Sequence, residues 1–579
     1  MAFLEELPLD VLLVVLRDLT VEDIINLHMT CKQLRALTHA RSVWHDALYL
    51  HVVSPGLPVP NMTNRYISTL SSSELEDVTR CALRLRRNWT SASPRPTRVS
   101  QLGVVPSSAH QRPRVLALYP VPGRDNRYLF SLTLLDQGAR RREYSIDCWD
   151  LKSPHPSSIA NFRCKDLFST YMNADPRHPH VFCITRKMRP EFQDEEPITD
   201  GPLVTTSLNL DFTASTPAFR ECVSFHSFKH CLLFDGSTFL ATDNSHHVRV
   251  FNTELGILQY SLLVPLIHDD PTMTIDEYRC LKAYIIDDFV LVFRQQFIHL
   301  YHLPTIPPTT LSSAQFQALE LLPVAEHKFQ WRLDTLTVQP QQSHPLLSQF
   351  AGDSSPQQDL SGVPPPLCLL LRFDSWYPWP VNILHQFILP PNPNYKPRTR
   401  LAADPSSRHV QLSLPYLASS AFITAPLSPT SAPSVERADS EPQLKPYTVA
   451  SLPAPLRIFT PSDAVLGTYG TALWLDAQTD SCCPAQAGDC GQRIAGKLLR
   501  FPSPPSSDQQ PDMPRHAVNL EVNAEKAAPP GNNAEADTPV NVFHIQQEND
   551  TWSRLALCDE QGRIAIGCTD GRIVVYDYA

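Results

Sequence analysis

The spacing of apolar residues changes once along this chain, near Pro94. Before that point they recur three and four positions apart, as in Leu12, Val15, Leu16 and Leu19, which predicts amphipathic helices. Beyond it, short runs alternate apolar and polar residues between turns of Asp, Asn, Gly and Pro, which predicts strands. The pattern therefore predicts an α+β multidomain protein, with a small all-α region followed by a long all-β region.

The first fifty residues contain several helix-start signals. Leu7-Pro8 opens the first helix, with proline in the first turn, where its missing N–H costs nothing. Residues 20–23 resemble a capping box, residues 30–33 offer a further cap, and Ser42 can cap a last short helix that carries Trp44. Helices this short cannot bury all of their apolar side chains alone, so we expect them to need a partner surface.

The order of these signals is typical of one known family. The Leu-Pro opening, the Leu/Val helix, the 23–27 segment, a Thr-Cys-Lys sequence in place of the usual Val-Cys-Arg, and Trp44 make residues 5–50 resemble an F-box. The resemblance implies binding to a Skp-family adaptor, which links to a cullin. It also implies nine residues at or behind the adaptor interface: Leu7, Pro8, Val11, Leu12, Val15, Leu16, Ile24, Leu27 and Cys31. The alternative is a generic helical hairpin that packs on the protein's own core.

We expect the F-box to occupy residues 1–50 and a helical connector to occupy residues 51–98. Residues 73–76 form a capping-box pattern, and apolar residues from Leu75 to Trp89 follow at helical spacing. The opposite side of this helix carries Arg80, Arg84 and Arg87, which we interpret as a solvated face. The helix is predicted to pack the F-box rigidly onto the region that follows.

The remaining residues, 99–579, are predicted to form a degenerate propeller of six to eight blades that resembles WD-repeat propellers. Six apolar runs end alike, at 145–150, 207–211, 248–252, 298–302, 472–476 and 573–577. Residues 555–577 resemble three strands of one blade, and Trp149-Asp150 matches the WD dipeptide. The ring is expected to close by pairing 573–576 with 115–118. A β-sandwich or two smaller β domains is the alternative.

Three segments interrupt the strand pattern, near 339–366, 391–446 and 479–539. They are rich in Pro, Ser, Ala and Gln, and we expect low-complexity insertions there. The middle segment contains Val410, Leu412 and Leu414 in alternation, so a strand is expected within it.

Composition narrows the classes of function. The chain has 579 residues, with 55 Pro against 18 Gly, and a formal net charge of −10, whereas a nucleic-acid binder normally carries a basic face. No stretch approaches the length of a membrane span, and no secretory signal is apparent, so we expect a cytoplasmic or nuclear protein that binds neither membrane nor nucleic acid. The cluster of Cys482, Cys483 and Cys490 lacks the paired spacing of a zinc site, and we expect no metal or cofactor.

The leading hypothesis is a non-catalytic substrate receptor of a cullin-type ubiquitin ligase, whose propeller recruits a protein substrate. We find no P-loop, no zinc-protease helix and no nucleophile elbow, so an enzyme is not expected. One alternative is an F-box interaction scaffold that serves no degradation. A propeller hydrolase fused to an F-box ranks below both, because no set of His, Asp or Glu residues is seen to converge.

Overall fold

The computed structural model describes most of the chain in segments. These are residues 8–62, 65–103, 112–124, 127–136, 142–153, 156–187, 202–242, 247–264, 278–306, 317–341, 344–350, 362–374, 383–397, 409–426, 442–454, 462–477, 491–499, 541–546 and 551–579. The statements below concern these residues.

A compact group of helices forms the N-terminal region. They are α1 (Leu9–Arg17), α2 (Val21–His28), α3 (Lys32–Thr38), α4 (Arg41–Leu48), a π-helical turn (Tyr49–Val53), a 3-10 turn (Ile67–Thr69) and α5 (Ser72–Trp89). Their apolar faces share one core, centred on the fully buried Trp44 and Leu48 and closed by Leu75 of α5. We call α1 to α4 with the π-helical turn the helical unit.

The caps of these helices agree only in part with the sequence expectations. Thr20 caps α2 as predicted, since its Oγ1 accepts a hydrogen bond from the Asp23 N–H. Cys31, not Thr30, caps α3, and α4 begins after Ala40 without a side-chain cap, so the prediction for Ser42 was wrong.

The capping box of α5 also differs from the prediction. It joins Ser71 to Glu74, two positions before the predicted box at 73–76. Three consecutive serines create two overlapping Ser-x-x-Glu patterns, and the earlier one lets both reciprocal hydrogen bonds form.

The strands confirm the predicted all-β region as a ring of seven sheets, antiparallel apart from one added strand in blade 3, which we number as blades 1 to 7. Blade 1 consists of β2 (Arg112–Pro120), β3 (Tyr128–Asp136), β4 (Arg142–Asp150) and β5 (Ser157–Lys165). Blade 2 consists of β6 (Leu167–Met172), β7 (His180–Lys187), β8 (Leu203–Leu210) and β9 (Phe219–His226). Blade 3 consists of β10 (His230–Asp235), β11 (Thr238–Thr242), β12 (Val248–Asn252) and β13 (Ile257–Leu262), with β17 (Leu319–Leu321) added in parallel.

The other four sheets complete the ring. Blade 4 consists of β14 (Cys280–Ile286), β15 (Phe289–Arg294), β16 (Phe297–His302) and β18 (Ala325–Lys328). Blade 5 consists of β19 (Leu333–Pro340), β20 (Leu367–Phe373), β21 (Ile383–Leu389) and β24 (Tyr447–Pro453). Blade 6 consists of β25 (Ala464–Leu466), β26 (Thr471–Ala477), β27 (Gln492–Leu498) and β28 (Asn541–Gln546). Blade 7 consists of β29 (Trp552–Cys558), β30 (Arg563–Cys568), β31 (Arg572–Asp577) and β1 (Arg98–Gly103).

Blade 7 closes the ring by joining both ends of the propeller sequence. Strand β31 pairs antiparallel with β1, in a register that runs from Arg98 opposite Asp577 to Gly103 opposite Arg572. The prediction of closure by the terminal strand was therefore right, but its predicted partner at 115–118 was wrong. That run belongs to β2, the first strand of blade 1. The true partner was hard to recognise because only Leu102 of β1 is buried.

The predicted insertions lie within particular blades. The first, between β19 and β20, holds a short helix, α6 (Leu347–Phe350). The second, between β21 and β24, holds a hairpin of β22 (His409–Ser413) and β23 (Phe422–Pro426), which confirms the expected strand. The third segment, 479–539, includes β27, and most of its other residues lie outside the described part of the chain.

Candidate partner-docking surface

Helix α1 has apolar side chains on two sides. Leu12 and Leu16 are buried in the core of the helical unit together with Val21 and Ile24. The opposite side of α1 carries Val11, Val14 and Val15, which face solvent, and Val14 is 63% exposed. Leu9 is 62% exposed as the first residue of the helix, one turn before Leu12 and on the same side. Met29, at the end of α2, is 78% exposed. We call Leu9, Val11, Val14, Val15 and Met29 the open apolar surface.

The residues expected at or behind the adaptor interface fall into three groups. Pro8, Val11 and Val15 are exposed, Leu27 and Cys31 are half-buried, and Leu12, Leu16 and Ile24 are buried. Leu7 lies outside the described residues. The structure thus separates candidates for direct contact from residues that support the surface from behind, while their role in binding stays a prediction.

Sequence reasoning missed Leu9, Val14 and Met29. The signal was present, because seven of the nine residues of α1 are apolar, more than one buried stripe requires. The predicted stripe began at Leu12, so it left out Leu9 at the start of α1 and Val14 on the opposite side of the helix.

A hydrogen-bonded histidine supports the end of α2. His28 Nδ1 lies 3.2 Å from Thr38 Oγ1 on α3, and the His28 ring packs edge-on against His39. Burial lowers the pKa of His28, and the nearby His39 and Arg35 lower it further. The neutral ring therefore links α2 to α3 beside the exposed Met29.

Helix α5 fastens the helical unit to the ring. Trp89 packs edge-on against Phe543 and Tyr578, with ring centroids 5.8 and 6.2 Å apart. Asn88 Nδ2 donates a hydrogen bond to the Tyr578 carbonyl, and Leu85 lies against Gly562. The connection is thus built on β28 of blade 6, and in blade 7 on the residue after β31 and the turn between β29 and β30.

Three neighbouring turns of the ring form the platform under the helices. Each lies between the first and second strands of its blade: 344–350 in blade 5, 467–470 in blade 6 and 559–562 in blade 7. The Asn61 N–H donates to Gln561 Oε1 at 3.2 Å, and the Tyr469 N–H donates to Asp559 Oδ2 at 2.7 Å. Because alternate turns of an antiparallel sheet lie at opposite ends, these turns share one face of the propeller. The helical unit therefore sits off-centre, over blades 5 to 7.

Within the described residues, we find no group of three or more His, Cys, Asp or Glu side chains that could hold a metal ion. No described helix is long and apolar enough to cross a membrane.

Comparison with known proteins places the open apolar surface in a family domain. Residues 4–48 match the F-box-like family model. No curated protein matches the chain. The protein thus combines an N-terminal F-box-like domain with a C-terminal seven-bladed β-propeller, the arrangement of an F-box protein with a C-terminal propeller.

Proposed function

We propose that this protein is a substrate receptor of a cullin-type ubiquitin ligase. In this proposal, the F-box-like domain binds a Skp-family adaptor and the propeller recruits a protein substrate, with no catalytic role for the chain itself. Such a receptor would act in the cytoplasm, the nucleus or both.

The observation that carries the proposal is the open apolar surface. Burying an exposed Leu, Val or Met side chain stabilises a complex by up to about 1.5–3 kcal/mol. Leu9, Val14 and Met29 are each more than half exposed, so the fold of their own chain leaves most of their apolar surface in water. A partner with an apolar groove would bury them together, which supports adaptor binding.

The position of the helical unit supports separate surfaces for the adaptor and for the substrate. The segment that follows the helical unit holds it to the ring: among the described residues, its hydrogen bonds to blades 5 and 7 are made by Leu57, Asn61, Ile67 and Asn88. The turns at the opposite face of the propeller, such as Asp570-Gly571 between β30 and β31, lie away from the helices. An adaptor and a substrate can therefore bind the same chain without competing for one surface.

The test is co-purification of the full-length protein with a Skp-family adaptor. We expect the double variant Leu9→Asp, Val14→Asp to lose the adaptor, because docking would bury two carboxylates without partners. The matched control is Leu255→Asp, since Leu255 is 56% exposed in a turn of blade 3. Unchanged adaptor binding by the double variant would refute the proposal.

Exposed residues are better test positions for adaptor binding than Leu12. Leu12 is only 5% exposed, so Leu12→Asp would unfold the helical unit and could not distinguish a lost contact from a lost fold. Variants of Leu9 and Val14 leave the core intact.

A second experiment separates a degradation receptor from a scaffold. Affinity capture with mass spectrometry would identify proteins bound to the ring, and their ubiquitination and abundance would then be followed in cells that lack this protein. A receptor predicts that a captured protein loses ubiquitination and accumulates. A scaffold predicts that the captured proteins keep their normal levels.

A further inference from the structure

The insertion in blade 5 reaches into the helical unit. We call residues 344–350, which end in α6, the brace. Leu346 is buried in the core of the helical unit, and Leu347 and Phe350 pack against the same core. The Phe350 ring lies 4.7 Å from the His45 ring of α4 and 5.2 Å from the Tyr49 ring, centroid to centroid. Side chains of the propeller thus complete the core of a domain that lies about 300 positions earlier in the sequence.

Polar contacts fix the brace at both ends. The Ile67 N–H donates to Gln349 Oε1 at 2.7 Å, next to the turn that Arg41 of α4 also binds. His344 Nδ1 accepts a hydrogen bond from the Leu346 N–H, which leaves Nε2 to donate to the Leu57 carbonyl at 2.9 Å. The His344 ring also packs against Tyr469 of blade 6. The brace is therefore tied to the helices on one side and to the ring on the other.

The brace covers the side of the helical unit that lies away from the open apolar surface. It contacts α4 and the π-helical turn, whereas the open residues belong to α1 and the end of α2. Helices of eight and nine residues have little stability of their own and depend on tertiary packing. Loss of the brace would therefore loosen α4, on which α1 packs, without touching the open surface directly.

We propose that the brace makes the folding of the F-box-like domain, and with it the docking of a partner, depend on blade 5 of the propeller. The F-box-like domain is then not an autonomous module: it is ordered only when the propeller is folded and the brace is seated. The partner-binding part of this proposal rests on the proposed function above, whereas the folding part stands without it.

The experiment uses the full-length protein and measures amide hydrogen exchange. The test variant is Leu346→Ala, Phe350→Ala, and the matched control is Ser348→Ala, an exposed position in the same helix. We expect exchange in α1 and α4 to become at least tenfold faster in the test variant, while exchange in β20 and β21 of blade 5 stays unchanged. Equal protection of α1 and α4 in the test and control variants would overturn the proposal.

Two further measurements keep the outcome interpretable. If the double variant also loses protection in β20 and β21, the milder Phe350→Leu variant is measured. An equal loss of protection in the helices α1 and α4 and in the strands β20 and β21 of that variant would again overturn the proposal. Adaptor affinity is then measured for the same proteins. Faster exchange in α4 with weaker adaptor binding supports the whole proposal. If wild-type protein binds no adaptor at all, the proposed function fails, yet the exchange data still decide whether the brace orders the domain.

Discussion

The helical unit and the propeller differ in how completely they bury their apolar side chains. The ring closes on itself: β1 and β31 come from its two ends and pair in one sheet, and Ile573, Val575 and Tyr578 are almost fully buried there. The helical unit stays open, because Leu9, Val14 and Met29 point to solvent. The ring buries its apolar side chains within its own chain, whereas the helical unit leaves part of its apolar side chains exposed.

This difference shows where each region is vulnerable. A closed ring distributes its stability over all blades, so the loss of one strand removes a contact on which every blade depends. An open helical unit depends on local support, here from α5 and the brace, and it can lose order without harm to the ring. Four changes would test this contrast: removal of the closing strand β31, substitution of Gly562 where α5 meets blade 7, substitution of Asp559 in the same turn, and substitution of His344 in the brace.

The largest effect is expected at the closure. Removal of residues 572–579 deletes β31, takes four buried side chains from the ring and leaves β1 unpaired. At about 1.5–3 kcal/mol for each buried apolar side chain, the loss is comparable with the roughly 5–15 kcal/mol that stabilises a whole domain. We expect the propeller to unfold, as seen by thermal melting and limited proteolysis.

The control for the closure is the removal of Ala579 alone, since this residue is exposed. That protein should melt like the wild type. A chain ending at Gly571 that also melted like the wild type would show that the ring does not depend on its last strand.

Much of this architecture could be predicted from the sequence. The Leu-Pro opening, the Thr20 cap and the position of Trp44 identify the helical unit, because short-range patterns determine short helices. The apolar run at 573–577 and its turns identify a blade for the same reason. Trp149-Asp150, which matches the WD dipeptide, is held within blade 1, since Trp149 Nε1 donates to Ser131 Oγ at 2.8 Å and Asp150 pairs with Arg127.

The rest depends on contacts between distant parts of the chain. Strand β1 has one buried residue, so alternation alone could not select it as the closing strand. In six of the seven blades the pairing of the first strand with the second shifts register, at the positions of Leu116, Phe168, Leu232, Leu281, Asp334 and Ser553. Four of these six residues are Leu or Phe, but such residues are common in every strand, so the sequence alone does not mark these positions. The brace likewise looks like part of a proline-rich insertion until its contacts are seen.

The second prediction concerns the joint between the two regions. Gly562 has a φ of +62°, and a Cβ added there would overlap the side chain of Leu85 on α5. Gly56 has a φ of +71° but no atom within 4 Å of its added Cβ. Both Ala variants incur the left-handed backbone cost of about 1–2 kcal/mol, and only Gly562→Ala adds steric overlap.

We expect Gly562→Ala to lower the unfolding free energy by about 2–4 kcal/mol and Gly56→Ala by about 1–2 kcal/mol, as measured by urea unfolding. Equal losses in the two variants would mean that α5 is held less tightly against blade 7 than the structure indicates.

The third prediction concerns a buried carboxyl beneath the joint. Burial raises the pKa of Asp559 from 3.8 to about 6, although hydrogen bonds from the Tyr469 N–H and Thr468 Oγ1 act in the opposite direction. The folded state therefore holds the proton more tightly than the unfolded state does. The resulting stabilisation is complete below pH 3.8 and is lost as the pH rises through about 6.

We expect Asp559→Asn, which cannot ionise, to lack this loss. Between pH 4 and pH 7 the unfolding free energy of the variant should rise by about 2 kcal/mol relative to that of the wild type. Urea unfolding at the two pH values measures the difference. A constant difference between the two proteins would show that Asp559 does not titrate in this range.

The smallest effect is expected from His344 in the brace. Burial lowers the pKa of His344 from 6.5, against the opposing effect of its hydrogen bond to the Leu57 carbonyl. The seated brace needs the neutral ring, because Nδ1 accepts a hydrogen bond from the Leu346 N–H while Nε2 donates to Leu57. As the pH falls below 6.5, His344 is protonated more easily when the brace is detached from the helical unit than when it is bound there. The free energy that holds the brace in place therefore decreases by less than about 1.4 kcal/mol for each pH unit.

Protection factors in α4, corrected for intrinsic exchange, should therefore fall a few-fold between pH 7.5 and pH 5.5, while those in β20 stay constant. His344→Gln retains an amide donor for Leu57 but does not titrate, so its α4 protection should be independent of pH over this range. If the wild type and this variant respond to pH alike, protonation of His344 does not control the brace.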